Sequence, residues 1–217
     1  PDYDVCYRVA TVMELDTLIK GGTVVTADSM LDTAVGIRNG RIAGLGSEST
    51  LPPAEQTVDA TGKLVMPGVV DPHTHIAGYN SVDSYETGTA AAAVGGVTSL
   101  ITFAWHGWTG SDWNETETLC EATERHKSWA EPLVDYSLHP TITRETPDVL
   151  AELPKLAAAG LTSVKMFTTD DIRLSYGFIG EVFEQLAETG AVGMVHTEDY
   201  SVCSRQADAV KSAPDGE

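Results

Sequence analysis

An α/β fold built on a parallel sheet, preceded by a smaller β-rich segment, is predicted by three observations. From residue 68 onward, short runs rich in Val, Ile, Leu and Phe alternate five times with longer stretches of helical character. Those runs are apolar at most positions rather than at every second one, the pattern of strands covered on both faces. Before them, residues 23 to 66 are short β-type pieces separated by Asn-Gly and Thr-Gly turns.

Taken in order, residues 1 to 13 show no pattern and read as an extension. Residues 14 to 66 read as part of a small β-sandwich. Within it, residues 23 to 26 form a strand, and residues 35 to 38 and 41 to 45 flank Asn39-Gly40, a two-residue hairpin signal because both residues tolerate positive φ. Residues 58 to 60 and 63 to 66 flank a second turn at Thr61-Gly62, and Pro67-Gly68 ends the domain. Residues 67 to 217 carry the strand-helix units. The strands are residues 68 to 71, 97 to 103, 133 to 138, 161 to 167 and 191 to 195. The helices are residues 82 to 94, 114 to 130, 147 to 159, 176 to 188 and 199 to 211. Gly95-Gly96, Gly160 and Gly190 close the first, third and fourth helices, and Asn114 stands as N-cap of the second. A doubly wound sheet and a (β/α)8 barrel both fit this run. A barrel takes about 250 residues; the 151 residues from position 67 hold five units, the front part of such a barrel.

Composition narrows the partners. Thirty-two acids against 13 bases give a net charge of −19. Nucleic acid and anionic membrane both require cationic surface, so neither is expected. The acids are scattered rather than blocked, which describes a charged coat and not an acidic tail. Such a coat repels itself at low salt and is screened at high salt, so adaptation to salt is expected. No apolar run reaches the roughly 18 residues of a membrane span, and no basic-then-apolar leader opens the chain. Cys6, Cys120 and Cys203 are far apart and odd in number, as in a reducing cytoplasm.

The chemistry concentrates at strand ends. His73-Thr74-His75 follows the apolar run at 69 to 70, and side chains two apart on a strand share a face, so two imidazoles point to one place. Neutral imidazole is the commonest protein metal ligand. Barrel sites collect at the carboxyl ends of the strands; there the later strands offer His106, His139, Lys165 and His196. Lys165, between Val164 and Met166-Phe167 on a buried strand, has a desolvated ammonium that needs a partner. His106, among Trp105, Trp108 and Trp113, and His139 are pocket candidates. His126, in a charged helix, reads as exposed. Asp71 is placed to orient a ligand histidine or to cap the strand end.

These segments, with residues 66 to 75, 87 to 98, 135 to 139, 163 to 167 and 195 to 198 in matching order, resemble the amidohydrolase superfamily over residues 14 to 211. The resemblance is greatest to its cyclic amidohydrolases, dihydropyrimidinase and hydantoinase. It implies a barrel with a β-sandwich, and hydrolysis of a cyclic amide or imide by a metal-activated hydroxide. It implies two divalent ions, zinc by donor type, with His73 and His75 on one, His196 on the other and a carboxylated Lys165 bridging them. Such relatives are often dimers or tetramers. A further metal histidine and an aspartate that moves the proton are implied beyond residue 217, so the chain alone is expected to be inactive. Where dihydropyrimidinases and hydantoinases carry a tyrosine five residues after the metal lysine, this sequence has Asp170, which cannot donate to an oxyanion unless protonated; Tyr176 is the nearby substitute. An allantoinase- or dihydroorotase-like activity, or a dihydropyrimidinase-like scaffold without enzymatic activity, are the alternatives.

Overall fold

The computed structural model describes residues 14–79 and 81–212. The extension expected over residues 1 to 13, Cys6 and the stretch from 213 to 217 lie outside them. The chain divides into two compact units, one ending at Pro67 and the other starting at Gly68. Among the described residues, no helix is long and apolar enough to cross a membrane.

The first unit holds Leu15–Lys20 (β1), Thr23–Val25 (β2), Met30–Asp32 (β3), Ala34–Arg38 (β4), Arg41–Gly46 (β5), Ala54–Asp59 (β6) and Leu64–Val65 (β7). They form one sheet in the order β5-β4-β1-β6 and a second in the order β3-β2-β7. The β4–β5 hairpin turns on Asn39 and Gly40 at φ 51° and 68°, the backbone a tight two-residue loop requires. The Thr61-Gly62 turn closes through the Lys63 N–H donating to the Ala60 carbonyl at 2.8 Å. Its flanking strands then part, β6 running parallel to β1 and β7 parallel to β2. The sequence reading did not assign β1 or β3. Leu15 and Leu18 of β1 nevertheless supply most of the buried cluster in this unit, with Ala34.

The second unit alternates Val69–Thr74 (β8), Tyr85–Val94 (α1), Val97–Trp105 (β9), Leu119–Ser128 (α2), Asp135–Thr141 (β10), Pro147–Ala158 (α3), Ser163–Phe167 (β11), Tyr176–Thr189 (α4), Val192–His196 (β12) and Tyr200–Ser212 (α5). Its sheet has the order β12-β11-β10-β9-β8 with every pair parallel. Each strand lies beside its predecessor and the order never reverses. A doubly wound sheet needs a reversal, so the sheet is a five-strand arc of a barrel. One face packs on the helices, Leu100, Leu138, Val164 and Met166 meeting Val149, Leu153, Val182 and Leu186. The other face gathers Phe103, Trp105 and Phe167 in a separate cluster. The second helix starts later than expected. Asn114 does not cap it, because its Oδ1 accepts from the Thr116 N–H at 3.0 Å in a local turn. Thr118 is the cap, in a reciprocal box with Glu121.

Candidate functional site

Strand parity sets the site. Val164 and Met166 point to the helices, so Lys165 and Phe167 point to the opposite face. Register then aligns the strands: Phe103 pairs His139, Thr141 pairs both Trp105 and Lys165, and Phe167 pairs His196. Phe103 is the hub of the resulting group. Its ring lies 4.7 Å from that of His73, 4.6 Å from His75 and 5.2 Å from His139. Lys165 Nζ stands 5.4 Å from the Phe103 ring and 5.1 Å from the Phe167 ring, which stacks on His196 at 5.4 Å.

His73 and His75 have ring centroids 5.3 Å apart. Two imidazoles sharing one zinc at about 2 Å per bond have centroids roughly 5 Å apart, so the spacing suits a common cation. The segment that carries them is fixed by hydrogen bonds. The Thr102 hydroxyl donates to the Thr74 carbonyl at 2.9 Å and accepts from the Ile76 N–H at 3.2 Å, while Thr74 Oγ1 donates to the Ile101 carbonyl at 3.1 Å. Asp71 accepts from the backbone N–H of His73 at 3.1 Å; it holds the main chain rather than the ring.

Lys165 is 5% exposed. Among the described residues, no carboxylate lies within 4 Å of its Nζ. Burial alone pushes its ammonium below the ordinary lysine value. Lost hydration, then the Lys165 charge, hold His73 below the ordinary imidazole value; lost hydration, then His73 and Lys165, do the same for His75. Their nitrogen lone pairs are therefore available to a cation at neutral pH. His196 donates from Nε2 to Glu198 at 2.9 Å, which leaves Nδ1 as its lone-pair nitrogen.

Among the described residues, no three His, Cys, Asp or Glu side chains form a ready cation site. The fit turns on Lys165. A buried cation facing basic nitrogens repels a metal, whereas the same nitrogen carrying a carboxylate would supply the missing anionic oxygens and end the desolvation. With Lys165 carboxylated, the donor set it forms with His73, His75 and His196 would fit a divalent metal.

The remaining candidates have distinct positions. His139 is buried and uses both nitrogens, Nε2 donating to the Pro72 carbonyl at 2.8 Å and Nδ1 accepting from Ser163 at 2.6 Å. It ties β10 to β8 and β11 immediately before His73. His106 is buried and donates from Nε2 to the Glu117 carbonyl at 2.8 Å, within the loop between β9 and α2 rather than in the cavity. His126, expected to be exposed, is fully buried; it lies on the Leu119, Ala122, Thr123, His126 stripe of α2, facing the core. Asp170 lines the cavity and Tyr176, 78% exposed, does not. Sequence reasoning did not single out Phe103, Phe167, Thr102 or Glu198; counting strand parity outward from Lys165 and His73 would have found the first two.

A cavity of about 650 Å³ opens beside the histidines. His75 and His196 stand in its wall with Tyr79, Trp105, Trp108, Phe167 and Ile172, and Asp170, Asp171 and Tyr200 complete the lining.

A match to the Amidohydrolase family covers residues 56–161. The D-hydantoinase of Geobacillus stearothermophilus is 38% identical over 194 residues, covering 85% of this chain and 40% of that protein. A solved D-hydantoinase structure superposes with a TM-score of 0.81 at 32% identity, over 91% of this chain and 43% of its own. The dihydropyrimidinase from Brevibacillus agri NCHU1002 gives 0.78 at 30% identity, over 89% and 43%. The chain therefore spans about 40% of the length of the curated relatives it matches.

Proposed function

Because this chain is related to the amidohydrolases of the hydantoinase and dihydropyrimidinase group, we propose that its site belongs to a metal-dependent hydrolase that opens a cyclic amide or imide ring. The observation that carries this reading is Lys165, a buried lysine without a carboxylate partner among the described residues, set among His73, His75 and His196 on one face of the sheet. Two divalent ions held there, zinc by donor type, would acidify a water and polarise the amide carbonyl. The chain's own residues do the positioning. His73 and His75 present paired nitrogens, Lys165 would supply anionic oxygens once carboxylated, and Glu198 fixes the His196 tautomer. Asp71, Thr102 and His139 hold the β8 terminus, and Trp105, Trp108 and Tyr79 give the cavity an aromatic wall.

The substrate class is a small cyclic amide of the hydantoin or dihydropyrimidine type, and the protein is proposed to work in the cytoplasm, as a single chain or a homo-oligomer. The protein at its natural full length, loaded with zinc, should be assayed for ring opening of hydantoin, dihydrouracil, allantoin and dihydroorotate, the 217-residue chain alone being expected to show none. Turnover of the first two is expected. Turnover confined to allantoin or dihydroorotate would move the assignment to those activities, and a protein that neither binds zinc nor turns over any of them would be a scaffold.

A further inference from the structure

We propose that Asp170 and Asp171 make this cavity selective for a cyclic amide bearing a cationic substituent, a refinement that rests on the ring-opening reading above. Three rings stand together on one part of the wall. Tyr79 lies 5.8 Å from Trp105 and 5.1 Å from Trp108, and the two indoles are 6.0 Å apart. Indole and phenol faces attract cations through their quadrupoles. The two carboxylates share the same cavity, and among the described residues neither takes part in a hydrogen bond or an ion pair. Arg173, the nearest guanidinium in sequence, pairs with neither carboxylate. It lies over the Tyr200 ring at 3.8 Å and donates to the main-chain carbonyl of Asp170 at 2.7 Å.

The cavity thus pairs aromatic faces with two carboxylates that no side-chain cation among the described residues pairs, in the same wall as His75 and His196. A neutral apolar substituent would satisfy the rings and leave the carboxylates with nothing gained. An anionic one would be repelled. An ammonium or guanidinium on a short aliphatic stem satisfies both. Asp170 sits at φ 61°, a backbone that Asn also adopts readily, so replacing its charge need not disturb the loop.

The test compares two isosteric ligands, 5-(4-aminobutyl)hydantoin and 5-pentylhydantoin, by tryptophan fluorescence titration of the native protein in low-salt buffer. The ammonium ligand should bind about tenfold more tightly, the sum of two partly exposed ion pairs and one cation–π contact. In the Asp170→Asn, Asp171→Asn double variant that ratio should fall to about 2–3, the part left to the cation–π contact, and molar salt should shrink it in the parent. Equal or weaker binding of the ammonium ligand, or a ratio that survives the double substitution, overturns the proposal. The fluorescence change is read immediately on mixing, before ring opening can consume either hydantoin, so a failure of ring opening counts against the proposed activity and leaves the charge selection to stand or fall by itself.

Discussion

His126 shows how much one side chain can encode. Its Nε2 accepts the Trp105 N–H at 3.0 Å, and its Nδ1 has no hydrogen-bond partner. Burial, helped by the adjacent Arg125 charge, lowers its pKa to about 3. The unfolded chain takes up the proton near the ordinary value of about 6.5, whereas the folded chain resists it until about 3. Above pH 6.5 both states are neutral and stability is unaffected. Below it the unfolded state holds the extra proton, so stability falls as pH falls, at up to about 1.4 kcal/mol per pH unit from this residue. His126→Gln keeps an acceptor for Trp105 without titrating. Urea midpoints between pH 7 and 5 should therefore decline less steeply in that variant than in the parent; identical slopes would show that His126 is already protonated when folded. The sequence concealed this burial because Arg125 and Lys127 flank the histidine. The stripe at 119, 122, 123 and 126, seen in the structure, would have revealed it, since residues three and four apart share a helix face.

At the scale of elements, the strand-helix alternation was legible because buried parallel strands are continuous apolar runs and because glycines end the helices. Gly160 and Gly190 both take positive φ, 87° and 71°, where the chain leaves a helix. The start of α2 was not legible from Asn114 alone. Asn side chains close local turns as readily as they cap helices, and only the Thr118–Glu121 spacing distinguishes the two here. β1 escaped notice because Asp16 and Thr17 interrupt its apolar positions, although its pairing with β4 and β6 places it inside a sheet. Of the site, the histidines and Lys165 could be read from residue type and position, but the supports could not, since Thr102 looks like any β-branched strand residue until its partners are known. Thr102→Val keeps the shape and removes two hydrogen bonds at the segment that carries His75. It should cost about 1–3 kcal/mol of stability, measured by urea denaturation. It should also weaken zinc binding in an equilibrium chelator titration. Loss of stability with zinc affinity intact would mean that the segment holds its shape without Thr102.

At the scale of the whole molecule, the net charge of −19 is the dominant property. The described ion pairs do little to offset it: the Lys20–Glu48 and Lys127–Glu124 pairs are largely solvent-exposed, whereas Arg125–Glu117 is substantially buried. Raising the salt from low to molar concentration should therefore raise the melting temperature, followed by circular dichroism, as counterions screen the repulsion. A melting temperature that stays constant or falls would remove the case for salt adaptation. The same excess of acid makes the basic cluster of His73, His75, His139, Lys165 and His196 unusual in this molecule, and that contrast leads back to the metal centre. The most direct measurement is carbon-13 NMR of the native protein incubated with labelled bicarbonate and zinc. A protein-bound carbamate resonance that disappears in Lys165→Ala is predicted; a parent protein that binds zinc without that resonance, and a variant that binds zinc equally well, would contradict the account.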